Sequence, residues 1–409
     1  MEAERSAGPV PARLHAGVDR LRRLPPPLGI FLWSRIVIWA AALYAWMWVL
    51  PRAPNPPNSA DLGYATQVWS RWDSGWFVPI AQHGYHSATD GAAAFYPLYP
   101  LAMGLVGRVF GGYYVSAGIV VSLACCVGAF FLLHRLALRR LDVDGARRAV
   151  VYLAIFPMSL FLQAVYSESL FLICCLGAFA LAEGRRWLPC GLVAGLAMLT
   201  RLTGFALLPA LALIAWRAPE RKRALASLVL APALFSLYPV WLHWKTGDAF
   251  AFARSEEIWH RHLSAAGPFG GLWQGLRSAW AGIEQVVTGN MTHVYWSGGQ
   301  GSDALHGAAL NLEDFGFTLL FLVLAVAAWR RFGAPYGLFA VLCLAIPLSV
   351  PSSRWPLQSM PRFCLVVFPA FLVLAEWAGT RRRDRIIVAT SAVLLGVAIM
   401  EWSITQWVS

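Results

Sequence analysis

Long apolar stretches recur along the whole chain and constrain its fold more than any other feature of the sequence. A helix needs about 20 predominantly apolar residues to cross the hydrocarbon core of a bilayer. Because lipid offers the backbone no hydrogen-bond partners, such stretches cross it as helices. About eleven candidate spans can be drawn, at residues 29–50, 113–133, 149–165, 169–183, 188–203, 204–216, 224–243, 308–329, 335–350, 362–379 and 385–406. The sequence therefore predicts an all-α polytopic helical bundle.

The composition excludes a soluble protein and argues against nucleic-acid binding. Charged residues make up 13% of the chain and hydrophobic residues 58%, whereas a soluble domain carries about 25% charged residues. The formal net charge of +12 comes from short arginine clusters between apolar runs, where arginines signal topology. The seven cysteines form no C-x-x-C pair and are expected to be small packing residues.

The arginine clusters predict the orientation of the spans. Cytoplasmic segments are enriched in Lys and Arg, and alternating the spans from a cytoplasmic N-terminus places every cluster on that side. The clusters lie at residues 135–148, 185–186, 217–223, 330–331 and 381–385. We therefore predict a basic cytoplasmic tail (1–28) and one polytopic transmembrane domain (29–406), with extracytoplasmic segments that include a first loop (51–112) and a long loop (244–307).

Asp73 lies in the first of these extracytoplasmic segments. The stretch 62–86 is dense in aromatic residues and is expected to form amphipathic helices at the membrane interface. Trp72, Trp76 and Phe77 would partly desolvate the carboxylate, and desolvation raises the pKa of a carboxyl group. That environment suits a general base. A helix-capping or exposed loop aspartate is the alternative.

Other ionisable residues stand at the predicted outer ends of the spans. Glu168, in Tyr166-Ser167-Glu168-Ser169, is costly at membrane depth and is a functional candidate for that reason; a helix-start glutamate is the alternative. Arg201, Arg354 and Arg362 could hold an anionic group such as a phosphate, or could extend to lipid headgroups. The histidines, His83 among them, show no metal-binding pattern and are expected mostly in solvated loops.

Several of these motifs, in this order, resemble the PIG-V family, which comprises GPI mannosyltransferase II and its bacterial relatives. The resemblance rests on Arg71-Trp72-Asp73, Ile80–Tyr85, Ala94–Pro100, Phe156-Pro157, Tyr166–Phe171, Thr200-Arg201 with Gly204, and Pro361-Arg362-Phe363. It covers about residues 70–365, and the high Arg, Ala and Gly content and compact length suggest a bacterial member. The sequence departs from relatives at Gln82, where Glu is frequent, and at Tyr96-Pro97-Leu98, where eukaryotic members tend to read Phe-Pro-Gly.

This resemblance implies a GT-C-type glycosyltransferase with its site on the outer face of the membrane. Such an enzyme would move a sugar, with mannose the family expectation, from a polyprenyl-phosphate donor to a lipid or glycan acceptor, with inversion. Asp73 matches the family's essential first-loop aspartate and would be the general base. The partners are then donor, acceptor and membrane lipids, with no nucleic acid. The resemblance assigns no cofactor with certainty and leaves a divalent cation open. The predicted substrate-binding residues are Arg71, Trp72, His83, Tyr166, Glu168, Arg201, Arg354 and Arg362.

The predicted mechanism assigns the arginines to the leaving group. Arg201 and Arg362, with Arg354, would stabilise the departing lipid phosphate, while Glu168 would orient the sugar or the acceptor. A transporter or flippase of lipid-linked sugars is the alternative function. Transporters often show inverted repeats and sites near the bilayer midplane. The sequence shows no repeat, and its polar residues gather at one interface, which favours an enzyme.

Overall fold

The computed structural model describes residues 24–48, 63–86, 91–289, 295 and 304–408. Within these ranges the chain is almost entirely helical, and the only β-type pairing is an antiparallel bridge between Arg261 and Ser352. The α-helices are α1 (Pro26–Trp48), α2 (Tyr64–Gln67), α3 (Ser74–His83), α4 (Leu98–Val109), α5 (Tyr114–Ala137), α6 (Val143–Ala154), α7 (Glu168–Glu183), α8 (Trp187–Met198), α9 (Leu207–Trp216), α10 (Arg221–Leu228), α11 (Leu230–Thr246), α12 (Ala251–Arg254), α13 (Pro268–Thr288), α14 (Ala304–Phe332), α15 (Ala334–Leu348), α16 (Met360–Cys364), α17 (Phe368–Trp377) and α18 (Arg381–Ser403). Short 3-10 helices lie at Ala92–Ala94, Pro157–Leu162, Leu202–Ala206 and Ser255–Trp259.

Five helical stretches in the described part of the chain are long and apolar enough to cross a membrane. They are Pro26–Trp48, Tyr114–Ala137, Arg221–Thr246, Leu305–Phe332 and Arg381–Ser403. Shorter apolar helices pack among them, as at Trp187–Met198 and Ala334–Leu348. The predicted all-α membrane class is confirmed, whereas the predicted count of about eleven spans is not.

Two predicted spans are interrupted because proline cannot continue a helical hydrogen-bond ladder. In the stretch 149–165, α6 ends at Ala154 and Pro157 opens a 3-10 helix. In the stretch 362–379, α16 and α17 are separate helices, and Pro369 lies in the first turn of α17. Conversely, part of the predicted first loop forms the apolar helix α4. The first span begins at Pro26 rather than at residue 29; residues 1–23 of the predicted tail lie outside the described part.

The predicted cytoplasmic arginine clusters meet at one end of the bundle. Arg139 and Arg140 contact the two carboxylate oxygens of Glu183 at 2.8 and 2.7 Å, and the Tyr336 hydroxyl donates to the same carboxylate at 2.7 Å. Glu183 is the last residue of α7, and Glu168 is its first. Because an α-helix rises about 1.5 Å per residue, these two glutamates are separated by roughly 22 Å along the helix axis.

An irregular segment, residues 163–167, leads into α7 inside the bundle. Its backbone is fully buried and must find hydrogen-bond partners within the protein. The Ser122 hydroxyl donates to the carbonyl of Ala164 at 2.8 Å, and the Val165 amide donates to the Trp69 carbonyl at 3.0 Å. These bonds join the segment both to α5 and to the first loop.

Candidate active site

The turn that carries Asp73 is fixed by Tyr166. The Asp73 amide donates to the Tyr166 hydroxyl at 3.2 Å, and that hydroxyl donates to the Arg71 carbonyl at 3.2 Å. The Ser74 hydroxyl donates to the Val165 carbonyl at 3.1 Å. Asp73 immediately precedes α3, but its side chain makes no capping hydrogen bond to that helix. The carboxylate is therefore available to groups outside α3.

Arg362 joins the carboxylates of Asp73 and Glu168. Its Nη1 pairs with Oδ2 of Asp73, and its Nε lies 3.6 Å from Oε1 of Glu168. Nη1 of Arg201 pairs with that same Oε1. Burial alone would lower the pKa of Arg362, but Asp73 and Glu168 raise it above its ordinary value. The four side chains form a continuous chain of alternating charge.

The carboxylate of Glu168 uses only one of its two oxygens, Oε1, in the ion pairs. Its side chain is 1% exposed, and among the described residues no group donates a hydrogen bond to its Oε2. A buried oxygen without a partner costs free energy, so a hydroxyl or amide of a bound ligand would satisfy it. Asp73, at 20% exposure, is the more accessible of the two carboxylates.

A fourth ion pair, between Glu256 and Arg261, belongs to the same site. Arg261 Nε lies 3.8 Å from Oε2 of Glu256, and Arg261 Nη2 donates to the Gln358 carbonyl at 2.9 Å. Burial lowers the pKa of Arg261, and neighbouring Glu256 partly offsets that effect. Glu256 is 34% exposed, and the partial desolvation of its carboxylate raises its pKa, against the opposing charge of Arg261.

The guanidinium groups of three arginines surround the ring of Phe363. Those of Arg201, Arg362 and Arg261 lie 5.3, 5.5 and 5.8 Å from its centroid, within cation–π range. Each arginine has its own carboxylate, so the cluster holds three positive and three negative groups. We call these six charged side chains and Phe363 the charged cluster: Asp73, Glu168, Arg201, Glu256, Arg261, Arg362 and Phe363.

Three non-glycine residues beside this cluster have left-handed backbone conformations. Trp72 (φ 44°) precedes Asp73, His260 (φ 56°) precedes Arg261, and Ser359 (φ 71°) precedes α16. Such conformations cost about 1–3 kcal/mol each and persist where the surrounding structure enforces them. They lie next to the charged groups, as expected of a functional site.

Residues 255–264, which we call the bridging segment, connect the first loop to the segment before α16. The amides of Ser353 and Ser264 donate to the carbonyls of His260 and Ser349 at 2.9 and 2.8 Å. On its other side, Trp259 packs against the rings of Trp76 and Phe95, with centroids 6.0 and 5.7 Å apart. The bridging segment thereby places Glu256 and Arg261 beside Asp73.

Arg71 and Trp72 lie beside the end of α18. The Arg71 guanidinium is buried, donates to the Ser403 carbonyl at 3.4 Å, and has no carboxylate partner among the described residues. Burial lowers its pKa to about 10. The Trp72 ring meets those of Trp402 and Trp407 edge to face, at 4.8 and 5.6 Å.

The structure does not bring His83 and Arg354 into the charged cluster. His83 is an exposed residue at the end of α3, and the length of that helix separates it from Asp73 by about 15 Å. Arg354 is also exposed, and its amide donates to the Ser352 hydroxyl at 3.3 Å. A substrate contact by either residue stays a prediction.

Sequence reasoning overlooked Glu256 and Arg261, although one signal could have selected Arg261. It lies within the predicted extracytoplasmic loop 244–307, where an arginine is unexpected under the positive-inside rule. The same rule selects Arg201, Arg354 and Arg362.

The charged cluster offers no ready-made metal site. Among the described residues, no group of three or more His, Cys, Asp or Glu side chains is arranged to hold a metal ion. Asp73 and Glu168 are each engaged by an arginine. The possible divalent cation therefore stays a prediction that nothing in the fold tests.

Asp73, Tyr166, Glu168 and Arg201 all fall within a segment that matches a known family. The family model described as Mannosyltransferase (PIG-V) matches residues 54–212. The predicted resemblance to the PIG-V family is confirmed over this segment. Arg362, Arg261 and Glu256 lie beyond it.

Curated relatives match a similar share of the chain. GPI alpha-1,6-mannosyltransferase 2 of Homo sapiens is 31% identical over 152 residues, which are 32% of this chain and 30% of the human protein. The protein of the same name from Mus musculus is 34% identical over 167 residues, 36% of this chain and 33% of its own length. The chain thus spans about a third of the length of these relatives.

A distant likeness extends over more of the chain. The crystal structure of the Archaeoglobus fulgidus oligosaccharyltransferase in complex with Zn and sulfate aligns with 90% of this chain and 53% of its own, at 13% identity and a TM-score of 0.43.

Proposed function

We propose that the protein is a membrane-bound glycosyltransferase that moves mannose from a polyprenyl-phosphate donor to a hydroxyl of a lipid or glycan acceptor. The observation that carries this proposal is the pairing of Asp73 and Glu168 through Arg362. Both carboxylates lie in the segment that matches the mannosyltransferase family. A carboxylate that can accept a proton, beside guanidinium groups that can hold a phosphate, is the pair of functions such a transfer needs.

The reaction is a single displacement at the anomeric carbon. The acceptor oxygen attacks that carbon while its proton passes to the Asp73 carboxylate. The bond from the anomeric carbon to the phosphate oxygen breaks, and its electrons leave with the lipid phosphate. Attack from the face opposite the leaving group inverts the anomeric centre. Because phosphate is a good leaving group, one carboxylate and several cations are sufficient.

Arg362 would link leaving-group stabilisation to proton transfer. In the resting structure it pairs with Oδ2 of Asp73, so that oxygen is occupied before the donor binds. As negative charge builds on the departing phosphate, the guanidinium can turn towards it, because charge-assisted bonds to phosphate are strong. Oδ2 of Asp73 is then released from the ion pair and is free to accept the proton of the acceptor hydroxyl.

Arg71 would provide a cation that no carboxylate neutralises, which the charged cluster lacks. The three arginines of the cluster are each matched by a carboxylate, whereas Arg71 is buried without one in the described part of the chain. We assign it to the phosphate of the bound donor. Glu168, with its open Oε2, would bind a sugar hydroxyl.

The donor would enter from the bilayer, with its head group on the extracytoplasmic side. Apolar side chains of α4 support a lipid-facing entrance near the site, since Leu101, Leu105 and Val109 are 66 to 78% exposed. The arginine clusters at the opposite end of the bundle would then face the cytoplasm, in accordance with the positive-inside rule.

The first test is transfer by purified protein in detergent, with synthetic polyprenyl-phosphate mannose and a panel of alkyl glycosides as acceptors, with and without a chelator. We expect transfer by the wild type and a loss of about 10²-fold or more in Asp73→Asn. Asp144→Asn, which removes a carboxylate near the opposite end of the bundle, is the matched control and should retain normal rates.

Two results would overturn the proposal. Near-normal turnover by a folded Asp73→Asn variant would exclude Asp73 as the base. Movement of the intact donor across a vesicle membrane, without transfer to any acceptor, would favour the transporter instead.

A further inference from the structure

We propose that Glu256 binds the hydroxyl-bearing acceptor and is a specificity-determining residue of the transfer reaction, an inference that rests on the proposed function. It lies outside the segment that matches the family model. Glu256 combines open hydrogen-bonding capacity, a place in the charged cluster and a negative charge.

The carboxylate of Glu256 has unused hydrogen-bonding capacity. Its nearest ion-pair atom, Nε of Arg261, is 3.8 Å away, which is too far for a hydrogen bond. Among the described residues, no group donates a hydrogen bond to either carboxylate oxygen. The side chain is 34% exposed, so a ligand can reach it. These properties distinguish it from Glu168, which is paired and 1% exposed.

Glu256 faces the same charges as the proposed base. It interacts electrostatically with Asp73, Arg201 and Arg362, as well as with Arg261. Arg261, Arg201 and Arg362 share the ring of Phe363. A ligand held at Asp73 would therefore also lie within the field of Glu256.

The negative charge of Glu256 decides which substrate it contacts. A carboxylate repels the phosphate of the donor, so the donor phosphate belongs with Arg71 and Arg362 rather than beside Glu256. A neutral, hydroxyl-rich acceptor has O–H donors that suit open carboxylate oxygens. The acceptor therefore occupies the side of the cluster that holds Glu256.

The backbone around Glu256 is held firmly enough to act as a binding surface. The bridging segment is tied to the segment before α16 by the Arg261–Ser352 bridge and by the bond from Ser353 to His260. Loops placed on a rigid scaffold are common carriers of specificity.

Steady-state kinetics of Glu256→Gln test the inference, with Glu257→Gln as the matched control. Glu257 is the next residue of the same 3-10 helix and is exposed, so the control removes the same charge from the same element. We expect the acceptor KM of Glu256→Gln to rise about tenfold or more, with the donor KM within twofold of the wild type. Glu257→Gln should change neither constant. A merely structural role would raise both KM values together.

A binding measurement separates this inference from the proposed function. Dodecyl mannoside is added to the purified protein without donor, and its binding is measured in wild type, Glu256→Gln and Glu257→Gln. Weaker binding in Glu256→Gln alone supports the assignment, even if the wild type transfers no sugar, a result that would overturn the proposed function only. Equal binding in all three overturns the Glu256 assignment even if transfer succeeds.

Discussion

Arg362 lies between two carboxylates, and its single guanidinium compensates both. Asp73 pairs with its Nη1, and Glu168 lies 3.6 Å from its Nε. Glu168 is almost fully buried, so it depends on neighbouring cations rather than on water. Removing one partner of a buried pair costs about 3–5 kcal/mol, because a buried charge is left uncompensated. Replacing both charges together costs far less.

This dependence predicts that a second substitution can restore the stability of an Arg362 variant without restoring its activity. Arg362→Gln should lower the melting temperature in detergent, because Asp73 and Glu168 are then two like charges that share one cation, Arg201. Adding Glu168→Gln should restore part of the loss by removing one of the two charges, while transfer stays abolished. Arg354→Gln, which removes an exposed arginine nearby, should leave the melting temperature unchanged. A double variant no more stable than Arg362→Gln would contradict the assigned coupling.

Among the helices, the contact between α8 and the following 3-10 helix positions Arg201. Arg201 directly precedes that 3-10 helix (Leu202–Ala206), whose Gly204 lies against the end of α8. A Cβ atom added at Gly204 would be 2.6 Å from the carbonyl oxygen of Ala197. Backbone cannot yield as a flexible side chain can, so the 3-10 helix would have to move.

Gly204→Ala should therefore impair transfer without preventing membrane insertion. We expect at least a tenfold loss in kcat/KM, because the displaced helix separates Arg201 from Glu168, and errors of about 1 Å can cost 10²-fold. Gly396→Ala on α18 is the control, since nothing lies within 4 Å of the added Cβ and alanine favours a helix over glycine. Equal rates for both variants would show that this contact does not position the site.

At the scale of the whole molecule, the bundle has two chemically different ends. The charged cluster lies at one end, and arginines paired with Glu183 lie at the other. At the end that carries these arginines, which we call the arginine end, the Tyr152 hydroxyl of α6 also donates to the Asp384 carboxylate of α18 at 2.6 Å. Such an asymmetry suits a protein that meets its substrates on one side of a membrane and anchors its basic segments on the other.

Cysteine labelling in cells tests the proposed orientation. Ser353→Cys is exposed near the charged cluster, and Gly379→Cys is exposed near the arginine end. A membrane-impermeant maleimide should label Ser353→Cys in intact cells, and Gly379→Cys only after permeabilisation. The wild type should give a low background, because six of its seven cysteines are buried. The reverse pattern would place the charged cluster in the cytoplasm.

The sequence alone determined the all-α membrane class and the resemblance to the PIG-V family, and both are confirmed. Hydropathy and short motifs are local properties, so one chain read in order is enough to detect them. The same reading selected Asp73, Glu168, Arg201 and Arg362, whose proposed roles the experiments above test. The interrupted spans show what hydropathy cannot predict. Apolar residues indicate that a segment is buried in lipid or protein, but they do not show whether one helix continues through the whole segment.

Only the tertiary structure decided which charges meet. Asp73 and Arg362 are separated by 289 positions in the chain, so no local pattern can assign them to one pair. Glu256 and Arg261 look like ordinary loop residues until the bridging segment is packed beside Asp73. The pairing of a guanidinium depends on which helices are neighbours and how deeply they bury it, and packing of the whole bundle sets both.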